Sequence, residues 1–169
     1  MIIREEAASD IKQIAAITAD AFAPKPYSNG SEPAVIAAVR ASGDLTISLV
    51  AEEDGILLGQ ITFTPVTIEG THEGWYGLGP VAVRPDRQSE GIGAALIKDG
   101  LACLKHLNAA GCVLVGDPVY YGRFGFQNQC GLSYGGLDAR FVQKLVLAGP
   151  DKTGKLTYCD SFEAAASGT

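Results

Sequence analysis

The sequence predicts a mixed α/β (α+β) fold with a mostly antiparallel sheet and one parallel crossover, and three observations lead there. Two β-rich runs flank Asp54-Gly55, a dipeptide that supplies positive φ for a tight hairpin turn. Further on, the strand "GPVAV", a long helical pattern and the strand "CVLVGD" follow one another, and so long a crossover makes the two strands parallel neighbours. The 169 residues are 47% hydrophobic and 19% charged, enough for one apolar core in one domain, 1–169, and no apolar run approaches the roughly 18 residues of a membrane span.

Taken in order, "MIIR" is a short apolar start. The segment "ASDIKQIAAITADAF" places Ile11, Ile14, Ile17, Ala21 and Phe22 on one helical face, with Ser9 or Asp10 as cap and Pro24 and Pro26 as its end. "SEPAVIAAVRASGD" reads as a second helix, with Ser31 at its N-cap, Pro33 in its first turn and Gly43 beyond its end. After the hairpin, the Gly-rich connector "EGTHEGWYGLG" leads to a strand at Val81, Ala82 and Val83, where Pro80 marks a bulge. The longest helix covers Gly91 to Ala110, with Ile92, Leu96, Leu101, Leu104 and Leu107 apolar and Gly111 as C-cap. "RFVQKLVLA" and "KLTYCDSFEA" are read as two later strands, and residues 164–169 as a disordered tail.

Composition excludes several function classes. A net charge of −6 argues against nucleic acid, because phosphate neutralisation needs clustered Lys and Arg; it favours a cationic small molecule only as a weak field effect. The N-terminus lacks an apolar signal core, so the expected compartment is cytoplasmic, and no membrane partner is expected. Cys103, Cys112, Cys130 and Cys159 form no C-x-x-C pair, and His72 and His106 lie near no cysteine pair, so no metal site is expected. A thiol nucleophile, Cys112 or Cys159 with His106, is disfavoured, since Cys112 lies in an apolar strand and the imidazole on a helix surface.

The stretch "RPDRQSEGIGAALI" places Gly91 and Gly93 at a helix start. Free N–H groups and a partial positive charge there suit a phosphate, although two glycines also permit close helix packing. Leu96 stands where a Rossmann fingerprint needs Gly or Ala, and no Lys-Ser/Thr follows as in a P-loop. The pattern Q/R-x-x-G-x-G/A does fit, through Gln88, Gly91 and Gly93. The following strand leads into "YYGRFGF", which carries Y-x-x-x-G-F through Tyr121, Gly125 and Phe126. With both motifs in this order, the sequence resembles the GNAT superfamily of acetyl-coenzyme A-dependent N-acetyltransferases, most strongly over residues 78–126 and closest to a small bacterial branch with G-D-P-x-Y-Y-x-R-F-G-F.

The resemblance implies a central, mostly antiparallel twisted sheet of about seven strands with one splayed parallel pair, flanked by about four helices. It implies acetyl-CoA as acetyl donor, with the pantetheine arm beside Val81, Ala82 and Val83. The pyrophosphate is then expected on the backbone of Gln88, Ser89, Glu90, Gly91, Ile92, Gly93 and Ala94. Val81 N–H is the expected oxyanion donor and Tyr121 the proton donor to the leaving thiolate, with Tyr120 as fallback; from composition alone Tyr121 reads more readily as a packed aromatic. Glu69, His72, Glu73 and Asp117 are candidate bases, Asp117 reading more naturally as a helix cap. Two departures from the family pattern stand out: Ser89 where Gly is frequent, and Glu90 where Gln, Lys or Arg is frequent. Glu90 is expected to turn away from the ligand, toward the helix dipole or Arg87. The expected function is acetyl transfer to a primary amine of a small molecule. The alternatives are a non-catalytic CoA-binding module and a transferase acting on a protein amine through an open groove near Trp75. Homodimers are common in the family and are compatible with this chain.

Overall fold

A computed structural model describes residues 1–168. Strand β1 (Ile2–Glu5) forms one edge of the sheet, followed by α1 (Ile11–Phe22) and α2 (Glu32–Ser42). The predicted face of α1 is largely the buried one, with Ile14, Ile17 and Ala21 inside, while Ile11 is exposed. Ser31 occupies the N-cap of α2 without a capping hydrogen bond, and Gly43 closes the helix in the left-handed conformation at φ 83°.

The hairpin β2 (Ile47–Glu53) and β3 (Ile56–Ile68) turns at Asp54 (φ 51°) and Gly55 (φ 77°), the double positive φ that its sequence signals. Strand β4 (Trp75–Val83) pairs antiparallel with β3. The register shifts between Ile61 and Phe63, whose partners are Val81 and Leu78, so β4 carries one extra residue, Gly79 and Pro80 standing against Thr62 alone. Trp75, Tyr76 and Gly77 fall in the connector by sequence but lie inside β4. Trp75 is fully buried, and that burial draws the strand's start forward.

Helix α3 (Ile92–His106) buries Leu96, Ile97 and Leu104 completely against one face of the sheet, each such side chain stabilising by about 1.5–3 kcal/mol. The helix stops short of Ala110. Leu107 is its C-cap, and Asn108 takes positive φ (58°) to turn the chain. Gly111 is therefore not the cap but the first residue of β5 (Gly111–Val115), where a Cβ would collide with the Trp75 ring. On the opposite face of the sheet, α1 and α2 cover Val50, Leu57 and Ala82.

Beyond β5 come the short helix α4 (Pro118–Gly122), two-residue strands β6 (Gln127–Asn128) and β7 (Leu132–Ser133), β8 (Val142–Val146) and β9 (Gly154–Tyr158). The sheet order is β1-β2-β3-β4-β5-β8-β6, with β9 joining β3 and β7. The β4–β5 pair is parallel, as the crossover predicts. "KLTYCDSFEA" is half strand and half helix: after β9, α5 (Asp160–Ala166) packs on α2. The tail expected from 164 is thus helical to Ala166, while Thr169 lies outside the described residues. Among the described residues, no helix is long and apolar enough to cross a membrane.

Candidate active site

Parallel pairing between β4 and β5 spans only residues 75–77 against residues 111–113. Past those rungs the strands part, and a cavity of about 760 Å3 opens along the second half of β4. Val81, Ala82 and Val83 form one wall. Arg84 N donates to Leu58 O at 2.8 Å, so alternation along the strand turns the amides of Val81 and Val83 away from β3, toward the space β5 has left. Val83 O lies on that side too and accepts from Gln88 Nε2 at 3.1 Å.

The second wall is the loop into α3. Gln88, Ser89, Gly91, Ile92, Gly93 and Ala94 all line the cavity. Gly91, at φ 86°, is the N-cap, leaving the first-turn amides of α3 without partners inside the helix. Ser89 stands at φ 66°, a conformation easier for Gly, which explains why its position favours Gly in the motif. Glu90 does not line the cavity. Arg87 Nε donates to both its oxygens at 3.1 Å, and Arg87 Nη1 donates to Glu53 Oε2 at 3.1 Å. The carboxylate is turned outward as expected.

Asp117 and α4 close the third side. Asp117 Oδ1 accepts from Val119 N at 2.9 Å, so the acid caps α4, the structural role the sequence favours. Tyr120 lines the cavity; its hydroxyl lies 3.1 Å from where a Cβ on Gly93 would stand, beside the start of α3. Tyr121 is set differently. Its ring lies against Gly116, where a Cβ would meet it at 2.6 Å, and packs edge-on to Tyr120 and Phe126. Gly116 directly follows β5, so Tyr121 packs behind the end of that strand and, unlike Tyr120, is not among the residues lining the cavity. Burial pushes its phenol well above the ordinary tyrosine value, with neighbouring Tyr120, Tyr27 and Asp117 adding to the shift.

The remaining base candidates lie elsewhere. Glu69 Oε2 accepts from Lys155 N at 3.0 Å, Glu73 pairs with Lys152, and His72 Nδ1 contacts Val66 O at 3.0 Å. None of the three lines the cavity. Burial raises the Cys112 thiol far above its usual range, and His106 is exposed, so these two make no nucleophile pair. Trp75 is buried, so no groove opens on its indole.

The family resemblance implies that the first two helices help shape the acceptor side, but sequence reasoning named none of the cavity residues there. Ala21, Phe22, Lys25 and Tyr27 reach it from the end of α1 and the loop after it. Lys25 and Arg123 also line it, beside Asp117 and the Arg87 that Glu53 and Glu90 hold.

The family model described as acetyltransferase (GNAT) domain matches residues 2–128. The chain belongs to the GNAT acetyltransferase family. Its GNAT relatives include the uncharacterized N-acetyltransferase YhbS of Escherichia coli K12, 34% identical over 128 residues, 75% of this chain and 74% of that one. A GNAT family acetyltransferase from Brucella melitensis, solved in complex with acetyl-CoA, is 46% identical, with 95% of this chain and 97% of that one covered at TM-score 0.85. The structure of E. coli YhbS in complex with CoA superposes at TM-score 0.87 with 29% identity, covering 96% of this chain and 91% of that one. The protein is thus an acyltransferase of the GNAT type, with that family's mostly antiparallel sheet and the parallel β4–β5 pair; the short β7–β9 pair is parallel as well.

Proposed function

We propose that the protein transfers the acetyl group of acetyl-CoA to a primary amine of a small-molecule acceptor, by direct attack in the cleft between β4 and β5. The observation that carries this reading is the pair of Val81 and Val83 amides turned away from β3, in a cavity that Gln88, Ser89 and residues 91–94 at the start of α3 also line. The acetyl-CoA and CoA complexes of the Brucella and E. coli relatives support it.

The pantetheine arm takes the place of a strand beside β4, bonding to the amides that β5 leaves unpaired. The pyrophosphate rests on the backbone N–H groups of the loop, where the α3 dipole stabilises its charge. Because these contacts are backbone, Glu90 contributes its N–H while its side chain stays on Arg87.

A neutral amine attacks the thioester carbon, forming the C–N bond. Val81 N–H stabilises the charge developing on oxygen. Collapse breaks the C–S bond, the thiolate takes up a proton delivered through Tyr121, and the new amide loses one to water. One observation favours Tyr121 over Tyr120 as donor: the Tyr120 hydroxyl lies beside Gly93, at the phosphate end. The raised phenol remains protonated throughout the working range. As charge builds on sulfur, the phenol O–H is there to donate to it.

Thiol release from acetyl-CoA, measured across aminoglycosides, polyamines, amino acids and peptide N-termini, tests the reading. Release with one small-molecule class, lost in a Tyr121→Phe variant that still binds CoA, is the expected result. Tight CoA binding with no release across the panel would contradict catalysis, and release only with peptides would move the acceptor to protein amines.

A further inference from the structure

The bulge that opens the cleft is held by two buried polar side chains of β3. Gln60 Nε2 donates to Pro80 O at 3.2 Å, and Thr62 Oγ1 donates to the same oxygen at 3.0 Å. Both residues are 0% exposed. They alternate with Ile61 and Phe63, which pack in the core beneath α3, so they stand on the other face of the strand.

Polar residues in the middle of a sheet need a reason. The β3–β4 register jumps here, leaving Thr62 with no partner residue across the ladder. The backbone pairing that fixes peptide orientation in an ordinary sheet is therefore interrupted at Pro80, and the two side chains supply the missing donors.

We propose that Gln60 and Thr62 are positioning residues for acetyl transfer, which aim the Val81 amide into the cleft by anchoring the Pro80 carbonyl. The inference rests on the reading that Val81 N–H holds the thioester oxygen. Its physical basis is peptide planarity: Pro80 C=O and Val81 N–H belong to one rigid unit and point in opposite directions. Fixing the oxygen toward β3 fixes the hydrogen away from it. An oxyanion donor works only if its direction is set before the charge develops, so the anchor acts on the chemical step more than on CoA affinity.

A second observation separates this role from a purely structural one. Gln60 Oε1 is buried with no hydrogen-bond partner among the described residues. An orphaned acceptor destabilises the fold, so stability alone would favour an apolar side chain of the same length. Gln60→Met is then expected to leave the melting temperature unchanged or raise it while loosening the Val81 amide.

Infrared difference spectra of acetyl-CoA labelled with 13C at the carbonyl, bound to each variant, read that amide without needing the acceptor. In the wild type the bound carbonyl band is expected to shift to lower frequency relative to free acetyl-CoA. Gln60→Met and Thr62→Val lose much of that shift at unchanged CoA affinity, and Thr62→Ser, which keeps the hydroxyl, retains it. Variants that keep the full wild-type shift would overturn the positioning role, as would a loss of CoA affinity or of melting temperature in step with the shift. A wild type that binds acetyl-CoA with no shift at all would instead refute the Val81 reading on which the inference stands.

Discussion

The two ends of the β4–β5 pair are built from opposite materials. At the closed end, three rungs join residues 75–77 to residues 111–113, and the fully buried Trp75 ring occupies the space a side chain at Gly111 would need. At the open end, β4 bulges at Gly79 and Pro80, β5 turns off at Gly116 into α4, and the gap is lined by backbone amides. Side-chain packing closes one half, and missing side chains and displaced peptides open the other. Unpaired backbone inside a sheet is costly unless solvent or a ligand meets it, and the proposed acetyl-CoA site lies at this one open end.

The closed end is expected to be the more fragile under substitution. Gly111→Ala drives a methyl into the Trp75 ring and should destabilise the fold by about 3 kcal/mol, as measured by denaturant unfolding. An unchanged midpoint would show that the ring is free to move and that packing does not hold this end shut.

At the open end the two tyrosines should separate. Tyr121→Phe should lower kcat about a hundredfold with CoA affinity retained, in steady-state rates and calorimetric titration. Tyr120→Phe should instead weaken CoA by about tenfold or less with kcat little changed. Reversed effects would exchange the roles. Since burial holds the Tyr121 phenol above the ordinary value of 10.0, the donor stays loaded as pH rises. A rate profile should therefore climb to a plateau as the amine deprotonates, without an alkaline fall below about pH 10.

The smallest effect belongs to the acid in the anion loop. With its carboxylate on Arg87, Glu90→Gln should alter the CoA dissociation constant by about twofold at most. A large gain in affinity would place the carboxylate against the pyrophosphate.

What is legible in the sequence divides along the same line. The hairpin at Asp54-Gly55, the start of α3 and the loop from Gln88 to Ala94 are readable because positive φ and helix entry leave residue-type signatures. The Asp117 cap is readable for the same reason. The end of the chain is not. "TYCDSFEA" carries β-favouring aromatics, but Phe162 stacks on Tyr158 at 4.3 Å, and Glu163 accepts from Tyr134 Oη and Tyr158 N, so tertiary contacts carry the segment into α5. Asp160 and Glu163 in the first turn, followed by three alanines, are the available helix signal. Trp75 reads as loop because its glycine neighbours look like punctuation; one of them, Gly77, lies inside the strand, where a Cβ would collide with Tyr158. Phe22, Lys25 and Tyr27 cannot be linked to the cleft from sequence, since nothing local to α1 records that its end faces β4.

The most direct test of the open half is amide hydrogen exchange with and without CoA. Val81, Val83 and residues 88–94 should exchange markedly more slowly when CoA is present, while Trp75, Tyr76 and Gly77, already paired with β5, stay as they were. CoA bound with no added protection over 81–94, or with protection centred elsewhere, would contradict the claim that the ligand completes the sheet where β5 leaves it.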